Sequence, residues 1–139
     1  MKIFTSKETI IDDRLKEINY GDVDGKDLKY LYENFPKIIE EWDLGLDPKF
    51  PNGENYKDVV RRLKQFFIYI QKNPNKKIAV CTHNVVIRTL IGLSLKINYT
   101  KWHKINIPYA EPIKFILTKD NRIYIELEPE QTEIILKDL

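Results

Sequence analysis

Apolar residues recur at three- and four-residue spacing in two long stretches of the chain. Between Lys26 and Trp42, the positions Leu28, Leu31, Tyr32, Phe35, Ile38, Ile39 and Trp42 mark one face of a helix. Pro36 falls inside this stretch and predicts a break or kink, because proline lacks the N–H and clashes one turn back. Between Asn55 and Gln71, the residues Tyr56, Val59, Val60, Leu63, Phe66, Phe67 and Ile70 form one continuous stripe, which Asn73-Pro74-Asn75 stops. A different pattern begins at Ile78. Ile78-Ala79-Val80-Cys81 reads as a buried strand, and after His83 the spacing of Val85, Val86, Leu90 and Leu93 suits an apolar helix face. Ile113 to Leu117 and Ile123 to Leu127 read as two strands of a hairpin closed by Lys119-Asp120-Asn121-Arg122. Lys2 to Thr5 reads as a short strand or a ragged start. Asp12 to Asp27, with Gly21 and Gly25, and Gly45 to Gly53, with Pro48 and Pro51, read as loops. This alternation predicts an α/β fold: a mostly parallel sheet flanked by helices, with a C-terminal β-hairpin.

Composition narrows the function classes. A chain of 139 residues with 42% hydrophobic and 32% charged residues fits one soluble domain. A net charge of +2 is too weak to argue for nucleic acid, and no block of like charge suggests an interaction tail. The single cysteine excludes an internal disulfide and a cysteine metal cluster, and fits a reducing cytoplasm. No apolar run of about 18 residues predicts a membrane span, and Met1 to Ser6 lacks the apolar region of a secretory signal. The expectation is a cytoplasmic protein with neither a nucleic-acid nor a membrane partner.

The chemistry-bearing residues gather at the boundaries of these elements. Thr82-His83-Asn84 sits where the strand pattern gives way to the helix pattern. Ligands of open α/β sheets bind beyond the carboxyl ends of strands, and a helix starting there offers N–H groups and a positive dipole end to an anion. His83 therefore reads either as a residue that caps the helix or as a phosphate ligand or proton shuttle. Glu17 reads either as a solvated loop carboxylate or as a general acid or base for a leaving oxygen. In Pro51-Asn52-Gly53-Glu54-Asn55, Asn52 or Asn55 suits a helix cap and Glu54 its first turn. A Glu54–Arg62 pair requires the loop to bend back across two helical turns. Six residues separate Cys81 from Arg88, with no glycine among them, so a cysteine-phosphatase cradle does not fit and Cys81 reads as a buried small hydrophobe. His103 reads as a surface or packing residue, and two histidines argue against a multi-histidine metal site. Tyr20, Trp42 and Tyr109 are candidate rim residues, with Trp42 equally a core residue of its helix.

Three segments in order resemble the histidine phosphatase superfamily, the group typified by phosphoglycerate mutase. Leu15-Lys16-Glu17-Ile18-Asn19-Tyr20-Gly21-Asp22-Val23-Asp24-Gly25-Lys26 is similar to the segment that carries the family's acid/base glutamate. Phe50-Pro51-Asn52-Gly53-Glu54-Asn55, with Arg62, is similar to its Gly-Glu-Ser segment, and Val80-Cys81-Thr82-His83-Asn84-Val85-Val86-Ile87-Arg88 to its second-histidine segment. The resemblance implies phosphoryl transfer through a phosphohistidine, without metal or other cofactor. His83 would help to hold the phosphoryl group and Glu17 would give a proton to the leaving oxygen. Tyr20, Thr82 and Asn84 would contact the substrate. The family's Arg-His-Gly motif, which carries the nucleophile, occurs nowhere in the sequence. The reading is a single domain over residues 1–139 that is incomplete at its N-terminus and inactive by itself, with Ile3-Phe4-Thr5-Ser6 a remnant of a family strand. Its expected partners are a phosphorylated small ligand and either further copies of itself or a complementing fragment. The alternative is a protein that binds phosphate or assembles without catalysis.

Overall fold

A computed structural model describes residues 9–72 and 77–139. The strand expected at Lys2 to Thr5, with its Ile3-Phe4-Thr5-Ser6 motif, and the helix stop at Asn73-Pro74-Asn75 lie outside the described residues. Five α-helices and one hairpin are present among the rest: α1 Leu28–Asn34, α2 Pro36–Asp43, α3 Tyr56–Gln71, α4 Asn84–Ser94, β1 Lys114–Leu117, β2 Ile123–Glu126 and α5 Pro129–Leu136. Short 3₁₀ turns stand at Asp13–Leu15, Gly21–Val23 and Tyr99–Lys104.

Proline divides the first helical stretch as its chemistry requires. Phe35 leaves helical geometry, α1 ends before it, and Pro36 becomes the first residue of α2, where its missing N–H costs nothing. Asn55 caps α3 by accepting from the Asp58 N–H, and Asp47 adds two further acceptors to the Tyr56 and Lys57 amides. Glu128 and Gln131 form a reciprocal capping box on α5, a helix in the tail to which the sequence pattern assigned no structure.

The core has two parts. Val59, Leu63, Phe66 and Phe67 of α3 meet Val85, Val86 and Leu90 of α4, with Ile18, Leu31, Ile38 and Phe50 around them. Ile91 on another face of α4 meets Trp102, Ile105 and Ile135. Trp102 lies so close over Gly92 that a Cβ there would fall 2.1 Å from its Nε1. Helix α4 thus carries both parts. The hairpin pairs Phe115 with Ile125 and Leu117 with Ile123 on its inward face, and Lys114 with Glu126 and Ile116 with Tyr124 on its outer face.

The sheet departs from expectation. The only sheet among the described residues is the two-stranded antiparallel hairpin, and no parallel pairing is present. Ile78 to Cys81 is neither strand nor buried: Ile78 is 49% and Val80 43% exposed, and Cys81 is exposed as well. The run has the composition of a central strand, but a strand exists only where neighbours take up its backbone groups.

Candidate active site

The loop from Asp12 to Asp24 is held in place by its ends. Arg14 pairs with Asp12, lies over the rings of Phe66 and Tyr69, and donates to the Gln65 carbonyl of α3. Arg62 donates to the Arg14 carbonyl at 2.7 Å, and the Thr82 hydroxyl donates to the Leu15 carbonyl at 2.6 Å. Beyond Glu17, the loop joins Pro51–Asn55. The Asn19 amide donates to Glu54 Oε2, the Glu54 amide to the Asn19 carbonyl, and the Asp22 amide to the Pro51 carbonyl. Gly21 and Gly53 allow this approach: a Cβ on Gly21, whose φ is +56°, would fall 1.9 Å from the Pro51 oxygen.

Between these anchors, Glu17 reaches the start of α4. Its carboxylate accepts from the Val85 amide at 3.2 and 3.4 Å and from the Ile18 amide at 3.0 Å. A first-turn N–H and the positive end of the helix thus face a carboxylate. His83 is the N-cap of α4, with extended backbone (φ −117°, ψ 171°) and an exposed imidazole that makes no capping hydrogen bond. Asn84, the first helical residue, is also exposed.

Two residues that the sequence left unassigned complete the neighbourhood. Burial pushes the Tyr56 phenol up to about 12. Arg88 offsets part of that rise, while Tyr20, Asp47 and Glu17 add to it. Burial likewise pushes Tyr20 up, with Glu17 adding and Arg88 opposing. Tyr20 and Tyr56 therefore each lie within the fields of Glu17 and Arg88. Arg88 stands one helical turn beyond Asn84, and its Nε donates to the Ile105 carbonyl at 2.8 Å. The legible signal for Arg88 was its offset from His83; for Tyr56 it was a position next to the Asn55 cap.

The other assignments sort as follows. Tyr20 packs edge-on against Phe50, while Glu17, His83 and Asn84 come together at the N-terminus of α4. Thr82 lies there too, but its hydroxyl is committed to Leu15. Glu54 and Arg62 do meet, at 3.0 and 3.3 Å, because the loop folds back over α3; their bonds to Asn19 and Arg14 make them supports of the Glu17 loop. Cys81 is exposed rather than buried. Tyr109 is 99% exposed on a separate loop, His103 is exposed, and Trp42 packs edge-on against Phe50.

Comparison with known proteins identifies the family. The family model of the histidine phosphatase superfamily (branch 1) matches residues 2–127. The chain belongs to the histidine phosphatase superfamily, whose fold is α/β. It is 29% identical to a probable fructose-2,6-bisphosphatase of Schizosaccharomyces pombe over 104 residues, which cover 72% of this chain and 24% of that protein. It is 28% identical to a 2,3-bisphosphoglycerate-dependent phosphoglycerate mutase of Chlamydia abortus over 108 residues, 75% of this chain and 48% of that one. A 6-phosphofructo-2-kinase/fructose-2,6-bisphosphatase of Arabidopsis thaliana is 32% identical over 77 residues, 55% of this chain and 10% of that protein. The chain therefore spans less than half the length of these relatives. Among the described residues no helix is long and apolar enough to cross a membrane.

Proposed function

We propose that the N-terminus of α4 binds the phosphate of a small phosphorylated ligand, with His83, Asn84 and Arg88 as its cationic and polar contacts and Tyr20 and Tyr56 as its wall. Glu17 is the group that moves a proton to or from the ester oxygen. The observation that carries this reading is the Glu17 carboxylate on the Val85 amide, two residues beyond His83. It puts the one candidate acid/base at the anion-binding end of the helix that the candidate phosphate ligand caps. In the complete family, a histidine in Arg-His-Gly takes the phosphoryl group. Phosphorus–oxygen cleavage is then split into two displacements, each stabilised by charge on the phosphoryl oxygens. This chain has no such motif, so by itself it binds and does not turn over.

That same absence favours a second reading, a protein that keeps the pocket for ligand recognition or assembly. Hydrolysis of p-nitrophenyl phosphate at mildly acidic pH, with His83→Ala and Glu17→Ala beside the wild type, tests inactivity directly. Turnover by the wild type that both variants lose overturns it. Inorganic phosphate titrated into the same proteins then tests binding: the wild type binds and His83→Ala binds more weakly. Activity gained on adding a fragment that carries Arg-His-Gly favours a catalytic role, and phosphate binding that no such fragment converts to turnover favours recognition.

A further inference from the structure

A hollow of about 680 Å³ opens between the first half of α3, the end of α4 and the 3₁₀ turn Tyr99–Lys104. Its walls are apolar: Tyr56 and Val60 from α3, Leu93 from α4, then Ile97, Tyr99 and Trp102. The polar tips of the two aromatic residues on the turn are already used. The Tyr99 hydroxyl donates to the Gly45 carbonyl at 3.0 Å and the Trp102 indole N–H to the Ile97 carbonyl at 2.9 Å, so what they offer the hollow is hydrocarbon. The walls are also fixed in place. The Ile97 amide donates to the Gly92 carbonyl, Lys96 takes a left-handed conformation (φ +56°), and the Trp102 ring stands edge-on to Tyr56 with centroids 5.1 Å apart. A preformed concave site loses less on binding than one that must first be ordered.

The rim is cationic. Lys57, Arg61 and Lys64 recur at four- and three-residue spacing, which stacks them along one side of α3. One carboxylate lines the hollow with them, that of Asp47, and its two oxygens accept from the Tyr56 and Lys57 amides. Arg61 also pairs with Asp58, which Lys49 shares, so Lys57 and Lys64 set the sign of the field. Arg14 meets α3 at Gln65, Phe66 and Tyr69, on a different side of the helix from these cations. The hollow is distinct from the α4 N-terminus as well: Leu93 stands in the last turn of α4, about 13 Å along the axis from Asn84.

We infer that this hollow binds a small organic anion with a compact apolar body, of the class of an aryl carboxylate. The body lies against Tyr56, Val60, Leu93 and Trp102, and the negative group lies at the α3 rim. A basic rim alone would take any anion, and an apolar wall alone any hydrocarbon; the two together call for both in one molecule. Size selects a small molecule over a protein. Small-ligand sites hold about 300–1,000 Å³, whereas a stable protein partner needs about 800 Å² of surface on each side. The inference goes beyond the proposed function and does not rest on it. The residue common to the two sites is Tyr56.

The test uses the full chain and the probe 2-naphthoate. Two controls, (2-naphthyl)methylammonium and acetate, lack the negative charge and the apolar body in turn. Backbone amide shifts are followed in nitrogen–proton correlation spectra at neutral pH. Expected is saturable binding of 2-naphthoate that shifts amides in 56–64 and 92–102, while each control binds more weakly by about tenfold or more. The double variant Lys57→Glu/Lys64→Glu, changed at two exposed positions, should weaken 2-naphthoate by about tenfold, the scale of two exposed ion pairs. His83→Ala should bind it as the wild type does. Equal binding of 2-naphthoate and (2-naphthyl)methylammonium overturns the inference. So do an absence of shifts at the solubility limit, unaltered affinity in the double variant, or shifts centred on 82–88. Shifts at 56–64 that grow with protein concentration alone overturn it too, since a second copy then covers the hollow. Phosphate is no part of the readout, so failure here leaves the proposed function standing, and loss of phosphate binding leaves this site standing.

Discussion

Glu17 already places a carboxylate where an anion would bind, and that decides how the site responds to charge. A phosphate at the α4 N-terminus lies beside a second negative group, and two like charges a few ångströms apart oppose each other by more than 1 kcal/mol at the effective dielectric of a protein surface. Glu17→Gln keeps an oxygen for the Val85 amide and deletes the charge. Isothermal titration should show it binding inorganic phosphate about tenfold more tightly than the wild type, while Glu17→Ala, which also loses the cap, does not match it. Equal affinity in Glu17→Gln and wild type would mean that phosphate binds elsewhere. Tyr56 makes the pH argument. Its phenol ionises near 12 in the folded chain and near 10 when unfolded. The folded state holds its proton longer, so the stability from its neutral burial is complete below pH 10 and is lost as pH rises from 10 to 12. The loss is about 2 kcal/mol once the partial exposure of the ring is allowed for. Tyr56→Phe removes this part, so its denaturation midpoint should fall less steeply across that window than the wild type's.

At the scale of elements, α1 to α4 were legible because each carries its own hydrogen bonds and shows its buried face as a 3.6-residue period, whereas α5, in which only Ile135 is buried, was not. The spacing from Tyr56 to Ile70 marks α3 to within a residue at either end, and Pro36 marks the boundary between α1 and α2. The hairpin was legible for the same local reason. The segment Ile78–Cys81 was not, since composition records what a strand prefers, not whether neighbours stand beside it. Arg88 and Tyr56 were left without a role because their proximity is a tertiary fact that arises only when α3 and α4 pack. The caps and close approaches that fix these helices carry their own predictions. Asn55→Ala removes the acceptor of the Asp58 amide and should cost about 1 kcal/mol, somewhat less if the Asp47 contacts take over. Gly92→Ala forces a Cβ into the Trp102 indole and should cost about 1–3 kcal/mol by overpacking, read as a lower urea midpoint with unchanged slope. Gly25→Ala, where nothing lies within 4 Å, meets only the strain of its positive φ.

For the molecule as a whole, α4 is the element through which site and stability communicate. Its N-terminus holds Glu17 and His83, one face closes the α3 core and another closes the Trp102–Ile135 core. A ligand bound at its first turn is therefore bound to the folded chain and not to the unfolded one. Mass action then stabilises the fold by RT ln(1 + [L]/Kd), about 2.7 kcal/mol when phosphate stands at one hundred times its Kd. For a chain of this length that corresponds to a rise in Tm of roughly 10 °C. The rise should be nearly absent in His83→Ala, whose exposed side chain can be removed without touching either core, and reduced in Arg88→Gln. Chloride at matched ionic strength separates this effect from general screening, since a diffuse response to salt acts on all three proteins alike. If phosphate raises Tm equally in wild type, His83→Ala and Arg88→Gln, the anion sits elsewhere on the surface. The pocket would then owe its arrangement to the packing of α4 alone.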